Sequence, residues 1–376
     1  MIGVLEGLPR GLAVDLEYIN LQLHRRQLGH GRGDRMKIES DRIDIVSGVR
    51  HGSTIGSPIS FMIQNKDWDH WQEVMAIEAA PEGAGIRSVT RPRPGHADLA
   101  GALKFQTHDV RDILERASAR ETTARVAAGA FCRLFLARFS VKIGSHVIAI
   151  GPERIGGQFE NPGCEKIFEL SAESAMNCLD PDAARSMMAA IDQARNDGDT
   201  LGGCVEAVAS PIPPGLGSHV QWDRRLDGLI AQAMMSIQSA KAVEIGNGIE
   251  GARNPGSRVH DEIFYDPDAK RFFRKTNRAG GVEGGISNGS DIRVRVHLKP
   301  VPTLRKPLAS VDICSKQPFQ AAVERSDACV VPAAGVIAEA VLGIVLANAF
   351  LEKFGGDSMT EIEGNYANYL RLLEGF

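Results

Sequence analysis

The chain has few cysteines, and their spacing indicates neither a metal site nor a disulfide framework. Its six cysteines are scattered over 376 residues without a Cys-x-x-Cys pair. Such spacing favours buried, reduced thiols in a cytoplasmic protein. The chain also lacks a strong excess of one charge, since its formal net charge is −4. This value argues against a general nucleic-acid-binding protein, although arginine-rich patches can still bind small anions.

Long uncharged apolar runs are also missing. No segment reaches the roughly 18 uncharged apolar residues that a membrane span needs. The nearest candidate, residues 336–354, contains Glu339, Asn348 and Glu352, so the sequence predicts a core helix there. The N-terminus has no basic stretch before its apolar residues, and we therefore expect no signal peptide.

One stretch contains several residues suited to catalysis or ligand binding. It begins with the Arg-Pro-Arg-Pro-Gly loop of residues 91–95, followed by His96 and Asp98. Residues before proline are pushed towards extended conformations, so this loop is not helical. Ser118 and Glu121 then fit a capping box at the start of a helix. The predicted buried face of that helix consists of Val126, Ala127, Ala130, Phe131, Leu134 and Phe135.

The start of this helix carries several cations, Arg116, Arg120 and Arg125. Free N–H groups, the helix dipole and guanidinium charges together favour an anion. A second cationic stretch covers the end of another helix and the loop after it. Asp15 caps this helix, which buries Leu16, Ile19 and Leu23 and ends at Gly29. Its cations are Arg25, Arg26, His30, Arg32 and Arg35. Solvated basic faces are the ordinary interpretation of both stretches, but alternating glycines favour a phosphate or carboxylate clamp here.

The order of predicted elements indicates an α+β fold. Strands are expected at residues 1–6, 43–49, 59–65, 147–150, 205–209, 243–245 and 291–299, with helices between them. Mixed strands and helices joined by glycine turns suggest antiparallel sheets covered by helices. Residues 152–200 look like an accessory region. A Pro-x-Gly-Leu turn recurs at residues 9–12 and 213–216, which hints at an internal duplication.

Residues 246–251 match the Gly-x-Gly-x-x-Gly pattern of dinucleotide-binding proteins. That pattern requires a helix directly afterwards, and Pro255 prevents one of useful length. An NAD(P)-dependent oxidoreductase therefore remains only an alternative, which a Rossmann strand order would support. The glycine-rich residues 280–289 instead suggest backbone packed closely against a flat ligand.

Six motifs, taken together and in order, resemble the chorismate synthase family over essentially the whole chain. They are Arg-Pro-Gly-His-Ala-Asp at 93–98, Ser-Ala-Arg-Glu-Thr at 118–122, Gly-Asp-Thr-Leu-Gly-Gly at 198–203, the glycine-rich 280–289, Lys-Pro-Val-Pro-Thr at 299–303 and Glu-Arg-Ser-Asp at 324–327. The resemblance implies one domain over residues 1–376, built as a β-α-β sandwich of two antiparallel sheets covered by helices, with internal duplication. It also implies a cytoplasmic homotetramer with no nucleic-acid, membrane or metal partner.

The reaction that the resemblance implies converts 5-enolpyruvylshikimate 3-phosphate to chorismate and phosphate. It is an anti-1,4-elimination that needs reduced FMN although no net redox change occurs. His96 would donate a proton to the reduced flavin. Asp327, beside Arg325, would help to remove the C6 proton of the substrate. Because a carboxylate paired with an arginine is a weak base, it would act together with flavin N5.

The resemblance assigns the remaining site residues to two groups. FMN would lie along Arg116, Ala117, Ser118, Gln238, Ser239, Gly284, Lys299, Pro300, Val301, Pro302, Thr303 and Arg325. Substrate anions would bind Arg26, Arg32, Arg35, Arg93 and Arg120. Of these, Arg26 and Arg32 match positions assigned to NADP in family members that reduce their own flavin, so NADPH is a possible reductant.

The family pattern begins with a strand and a Gly-Glu-Ser-His-Gly motif upstream of the position of Met1, and the present sequence does not contain them. In the family that histidine is held to protonate the leaving phosphate. We expect a misassigned start codon or a truncation, and slower turnover than in a form extended upstream. The remaining alternative is a non-catalytic paralogue that binds flavin or anions.

Overall fold

The computed structural model describes residues 1–33, 40–79, 88–170, 174–321 and 327–376. The helices are α1 Leu16–Gln27, α2 Asp98–Phe105, α3 Arg111–Arg116, α4 Thr122–Ala137, α5 Cys164–Phe168, α6 Pro181–Asn196, α7 Leu226–Met235, α8 Gly248–Gly251, α9 Gly256–Val259, α10 Val331–Phe354 and α11 Met359–Glu374. The strands are β1 Ile2–Leu5, β2 Ile43–Ile45, β3 Val49–Arg50, β4 Ser53–Thr54, β5 Ile59–Ile63, β6 Lys142–Ile150, β7 Glu153–Arg154, β8 Gly203–Ser210, β9 Ala240–Ile245, β10 Ile263–Asp266, β11 Arg271–Arg274, β12 Val282–Glu283, β13 Ile286–Ser287, β14 Ile292–Leu298, β15 Ala309–Val311 and β16 Pro318–Gln320.

Two antiparallel sheets and several hairpins confirm the α+β prediction. The smaller sheet has the strand order β1-β5-β2 and the larger β7-β6-β8-β14-β9. In the larger sheet Val294 lies opposite both Ala207 and Ile245. The strand ladders of the described residues are all antiparallel, and α8 has only four residues. The Gly-x-Gly-x-x-Gly pattern at 246–251 is therefore not part of a Rossmann fold, and the oxidoreductase alternative loses its support.

Helices α4 and α10 pack against each other, and each also contacts a sheet. A Cβ built on Gly129 of α4 would lie 2.4 Å from the Cβ of Ala340 in α10, so glycine permits the close approach. Helix α4 contacts β1, and α10 contacts β6 and β8. Although α10 is long and apolar enough to cross a membrane, most of it is buried. The predicted core helix at residues 336–354 is confirmed, and it begins at Val331.

Ion pairs fix this core helix to its neighbours. The Glu339 carboxylate on α10 is fully buried and accepts hydrogen bonds from Arg25 on α1, at 2.6 and 2.8 Å. It also accepts from Arg133 on α4, at 2.8 Å, and from the Ser145 hydroxyl on β6, at 2.7 Å. One carboxylate therefore connects three helices and a strand.

The two Pro-x-Gly-Leu turns have the same local geometry. Gly11 N–H donates to the Thr54 carbonyl at 3.0 Å, and Gly215 N–H donates to the Ser287 carbonyl at 2.8 Å. In both cases the hydroxyl of that partner donates back to the proline two positions before the glycine. Both glycines have positive φ, +91° and +95°, which glycine adopts without steric cost. The strand order β1-β5-β2 of the smaller sheet also matches the order β8-β14-β9 in the larger sheet, since in both the last strand in sequence lies between the other two.

Residues 160–168, which include α5, pack against one face of the larger sheet. For this reason β14 does not alternate simply between buried and exposed residues. Arg293 is buried, pairs with Glu206 at 2.8 Å and donates to the Pro162 carbonyl. Arg295 also pairs with Glu206, at 3.0 Å, and donates to the Glu160 carbonyl. These residues thus bury a polar sheet face that the sequence pattern would leave in solvent.

Several local predictions need correction. Leu16 is 49% exposed and not part of the buried face of α1, which ends at Gln27. The strand expected at 43–49 is two short strands, because Gly48 turns the chain with φ +83° and lies against Ile59. All six cysteines are free thiols, but Cys314 is exposed and Cys178 is only half-buried, so four of the six belong to the predicted buried set.

Candidate active site

The loop of residues 91–98 brings Arg93, His96 and Asp98 into contact. Asp98 is the first residue of α2 and is 1% exposed. It accepts hydrogen bonds from the Arg93 backbone N–H and Nε, both at 2.9 Å, and its Oδ1 contacts His96 Nδ1. Burial alone would raise the pKa of Asp98, but the hydrogen bonds from His96 and Arg93 hold that pKa well below its ordinary value. The Asp98 carboxylate is therefore ionised at neutral pH.

The loop of residues 299–303 packs onto this trio. Arg93 Nη1 donates to Thr303 Oγ1 at 3.0 Å, and Lys299 Nζ donates to the Gly95 carbonyl. The Lys299 backbone N–H donates to the Ser239 carbonyl at 2.9 Å. Pro300, Val301 and Pro302 lie in the same loop. The structure thus brings together predicted residues that are more than 200 positions apart in sequence, while their roles stay predictions.

A buried carboxylate, Asp41, organises the second group of arginines. Its Oδ1 accepts from Arg120 Nη1 at 2.5 Å, and its Oδ2 lies 3.8 Å from Arg26 Nη2. Arg26 also donates to Thr123 Oγ1, and Arg120 donates to the Gln64 carbonyl. Sequence reasoning missed Asp41 because it belongs to none of the recognised motifs.

The start of α4 differs from the predicted capping box. Ser118 does cap the turn Ala119–Glu121 by accepting from the Arg120 N–H at 3.2 Å. The Glu121 carboxylate instead binds Arg125 Nε, at 3.0 Å, and the Gln238 side-chain amide. Gln238 Oε1 is buried without a hydrogen-bond partner among the residues that the structure describes. Since Ser239 is next in sequence, this group adjoins the Lys299 loop.

Asp327 lies against the glycine-rich loop that follows α1. Its Oδ2 accepts from Arg32 Nη1 at 2.7 Å, and its Oδ1 accepts from the Gly33 N–H at 2.6 Å. The next residue, Ala328, accepts from the Leu201 N–H at 2.9 Å. The Thr200 hydroxyl in turn donates to the Val301 carbonyl at 2.8 Å, so Asp327 is connected to the 299–303 loop. Arg35 and Arg325 lie outside the described residues.

Three predicted FMN residues, Arg116, Ala117 and Gly284, are placed less closely against the rest of the predicted site. Arg116 ends α3 and is exposed, and Ala117 follows it directly before Ser118. The Gly284 carbonyl accepts from Arg225 at 3.1 Å, at the start of α7, whereas Gln238 follows the end of that helix. A ten-residue helix is roughly 15 Å long. Within this chain Gly284 is therefore separated from the other predicted FMN residues.

The assembled groups suit an anionic small molecule. Arginine guanidinium groups bind phosphate and carboxylate in a bidentate manner, and Lys299 adds a further cation. An imidazole held by a carboxylate is a common proton-transfer group. Within the described ranges no cluster of three or more His, Cys, Asp and Glu side chains could hold a metal ion.

Comparisons with known proteins agree with this description. A family model described as chorismate synthase matches residues 1–351. A chorismate synthase from Solibacter usitatus is 53% identical, covering 100% of this chain and 96% of that protein. One from Desulforudis audaxviator is 57% identical, covering 99% and 95%. A crystal structure of chorismate synthase is 42% identical with a TM-score of 0.79, covering 100% of this chain and 95% of that one.

Fold, site and relatives together define a lyase that acts on a small-molecule substrate. The chain belongs to the chorismate synthase family, and its place is in chorismate and aromatic amino acid biosynthesis. The family resemblance seen in the sequence is confirmed.

Proposed function

We propose that the protein converts 5-enolpyruvylshikimate 3-phosphate to chorismate and phosphate by anti-1,4-elimination, with reduced FMN as cofactor. The observation that carries this proposal is the assembly of Arg93, His96 and Asp98 with Lys299 in one continuous set of contacts. The substrate has a phosphate and two carboxylates, which require several cationic partners. The reaction also requires positioned proton-transfer groups.

The residues fit a flavin. Gln238 Oε1 is buried without a protein donor in the described part of the chain, and a flavin ring offers an N–H donor. Lys299 and Arg93 offer cations for a phosphate or for ring oxygens. The groups that would hold FMN are those named above from Arg116 to Ser118, at Gln238 and Ser239, and from Lys299 to Thr303, with Gly284 and Arg325 as further candidates. When bound, reduced FMN supplies an electron-rich partner for the elimination without net oxidation.

The chain's own side chains have distinct tasks in this proposal. His96 holds a proton on its imidazole ring and donates it within the site. Asp327, fixed by Arg32 and by the Gly33 N–H, accepts or orients the proton that leaves substrate C6. Arg26 and Arg120, fixed by Asp41, bind substrate anions together with Arg32, Arg35 and Arg93. NADPH is a candidate reductant that would use Arg26 and Arg32.

We further propose that residues 1–376 form one domain, a β-α-β sandwich with internal duplication in which residues 152–200 are accessory. Matching glycine turns and matching strand orders support the duplication. The contacts of α4 with the smaller sheet and of α10 with the larger one support the sandwich. We also propose a cytoplasmic homotetramer that acts on its small-molecule substrate without a nucleic-acid or membrane partner.

The proposal is tested by anaerobic assay of the purified protein with 5-enolpyruvylshikimate 3-phosphate. Chorismate should form with reduced FMN and not with oxidised FMN. NADPH added with oxidised FMN should restore turnover only if the protein reduces its own flavin. Folded protein that binds reduced FMN but forms no chorismate, both as this chain and in a form extended upstream by the Gly-Glu-Ser-His-Gly segment, would instead support the non-catalytic paralogue.

A further inference from the structure

The surroundings of His96 assign a task to Asp98. We propose that Asp98 is a positioning residue that fixes the proton on His96 Nδ1, orients the imidazole and leaves Nε2 for proton transfer. This inference rests on the proposed function of His96 as a proton donor. It goes further because it names the group that sets the orientation and tautomer of that donor.

The first argument concerns hydrogen-bond chemistry. An ionised carboxylate can only accept a hydrogen bond. Asp98 Oδ1 contacts His96 Nδ1, so Nδ1 must be the donor and carry a hydrogen. Nε2 is then the ring nitrogen that remains for exchange with a bound molecule. Such a carboxylate–imidazole contact fixes the tautomer and the ring orientation.

The second argument is that Asp98 itself cannot easily move. Its Oδ2 accepts from two nitrogens of Arg93, both at 2.9 Å, and its side chain is 1% exposed. It is also the first residue of the eight-residue helix α2, where the helix dipole favours a negative charge. The carboxylate is therefore a fixed anion against which the imidazole is oriented.

The third argument concerns charge balance around the ring. Arg93 Nη2 lies 3.1 Å from His96 Nδ1 and 3.3 Å from Nε2. Lys299 Nζ binds the carbonyl of the neighbouring Gly95. Both groups are cationic, and Asp98 is the negative group in contact with the ring among the described residues. Removing the Asp98 charge would leave Arg93 beside the ring without its counter-ion.

A purely structural role for Asp98 makes different predictions. If the carboxylate only closed the 93–98 loop, its loss would lower stability without changing the tautomer of His96. The two roles are therefore separated by the ring signals, which report the tautomer and do not depend on the amount of folded protein.

The experiment compares the full-length wild-type protein with Asp98→Asn and Asp98→Glu. Asp261→Asn is a matched control, because Asp261, like Asp98, is a buried carboxylate held by backbone and side-chain donors, here two backbone N–H groups and a threonine hydroxyl. Nitrogen-15 NMR of the imidazole rings reports which ring nitrogen carries hydrogen. The His96 signal is assigned from its absence in His96→Gln. The rate of chorismate formation with reduced FMN is measured in parallel, per folded protein.

In the wild type we expect His96 to carry hydrogen on Nδ1. In Asp98→Asn the new amide can donate as well as accept a hydrogen bond, so the hydrogen of His96 should no longer be confined to Nδ1. Turnover should fall by about 10²-fold, the worth of a positioned proton-transfer group. Asp98→Glu should recover most of the difference, and Asp261→Asn should leave both readouts unchanged.

Unchanged ring signals and an unchanged rate in folded Asp98→Asn would overturn the inference. If that variant does not fold, the wild-type spectrum still decides, since a His96 ring with hydrogen on Nε2 alone contradicts the proposed contact. Failure of the proposed function has a different signature. In that case His96→Gln would retain normal turnover, whatever the ring signals show for Asp98.

Discussion

Replacing Glu339 by glutamine should destabilise the protein strongly. The Glu339 carboxylate is fully buried and contacts Arg25 and Arg133, whose side chains are 15% and 11% exposed. Glutamine keeps the size but removes the charge that both guanidinium groups face. Removing one partner of a buried ion pair costs about 3–5 kcal/mol. We therefore expect a loss of that order in the free energy of unfolding at pH 7.

The pH dependence of this loss has a definite sign. Burial would raise the pKa of Glu339, but Arg25 and Arg133 hold that pKa below its ordinary value in the folded state. A group whose pKa is lowered by folding stabilises above its unfolded pKa, about 4.3 for glutamate, and loses this effect as the pH falls through the folded value. The difference between wild type and Glu339→Gln should thus be constant above about pH 5 and shrink at lower pH.

Urea unfolding at equal protein concentration measures both quantities. The matched control is Glu363→Gln, because Glu363 pairs with Arg138 at 2.7 Å but both side chains are exposed, at 39% and 53%. Exposed pairs contribute about 0–1 kcal/mol. The reasoning fails if Glu339→Gln and Glu363→Gln prove equally stable, or if their difference grows as the pH falls.

Three further predictions concern the site. His96→Ala should lower turnover by about 10²-fold or more through loss of a proton donor, with unchanged urea unfolding. The control His70→Ala, at an exposed position, should have normal turnover. Equal rates for the two variants in the anaerobic assay would make His96 structural. Gln238→Leu should weaken reduced FMN binding by about 2- to 10-fold, the worth of one hydrogen bond, whereas Gln232→Leu on the exposed side of α7 should not. Anaerobic titration with reduced FMN measures both affinities. In the same titration, wild-type binding should tighten when the phosphorylated substrate is present. Asp327→Asn should lower the maximal rate by about 10²-fold with less effect on substrate affinity, and a change confined to affinity would mean that Asp327 only orients Arg32.

The sequence predicted contacts best where the partners are close in the chain. His96 and Asp98 are two positions apart in a loop whose prolines and glycine restrict its conformation, and both are in contact in the structure. The two Pro-x-Gly-Leu turns were visible because each needs a glycine at positive φ. These features are encoded locally, so a single sequence is enough to recognise them.

Contacts between distant segments could not be predicted from the sequence in the same way. Asp41 binds Arg120, 79 positions later, and nothing in the sequence around Asp41 specifies that partner. Glu121 has a capping-box position, but the approach of Gln238 from another helix end offers it a different partner. Family motifs placed Gly284 in the flavin site without giving its distance, and in the structure α7 separates it from Gln238.

The proposed reaction is tested most directly by a single turnover of the purified chain, performed without oxygen and with excess reduced FMN. Chorismate and inorganic phosphate should form in equal amounts, at the same rate, while the flavin is still reduced at the end. Oxidation of flavin in proportion to product, or phosphate release without chorismate, would contradict an elimination without net redox change.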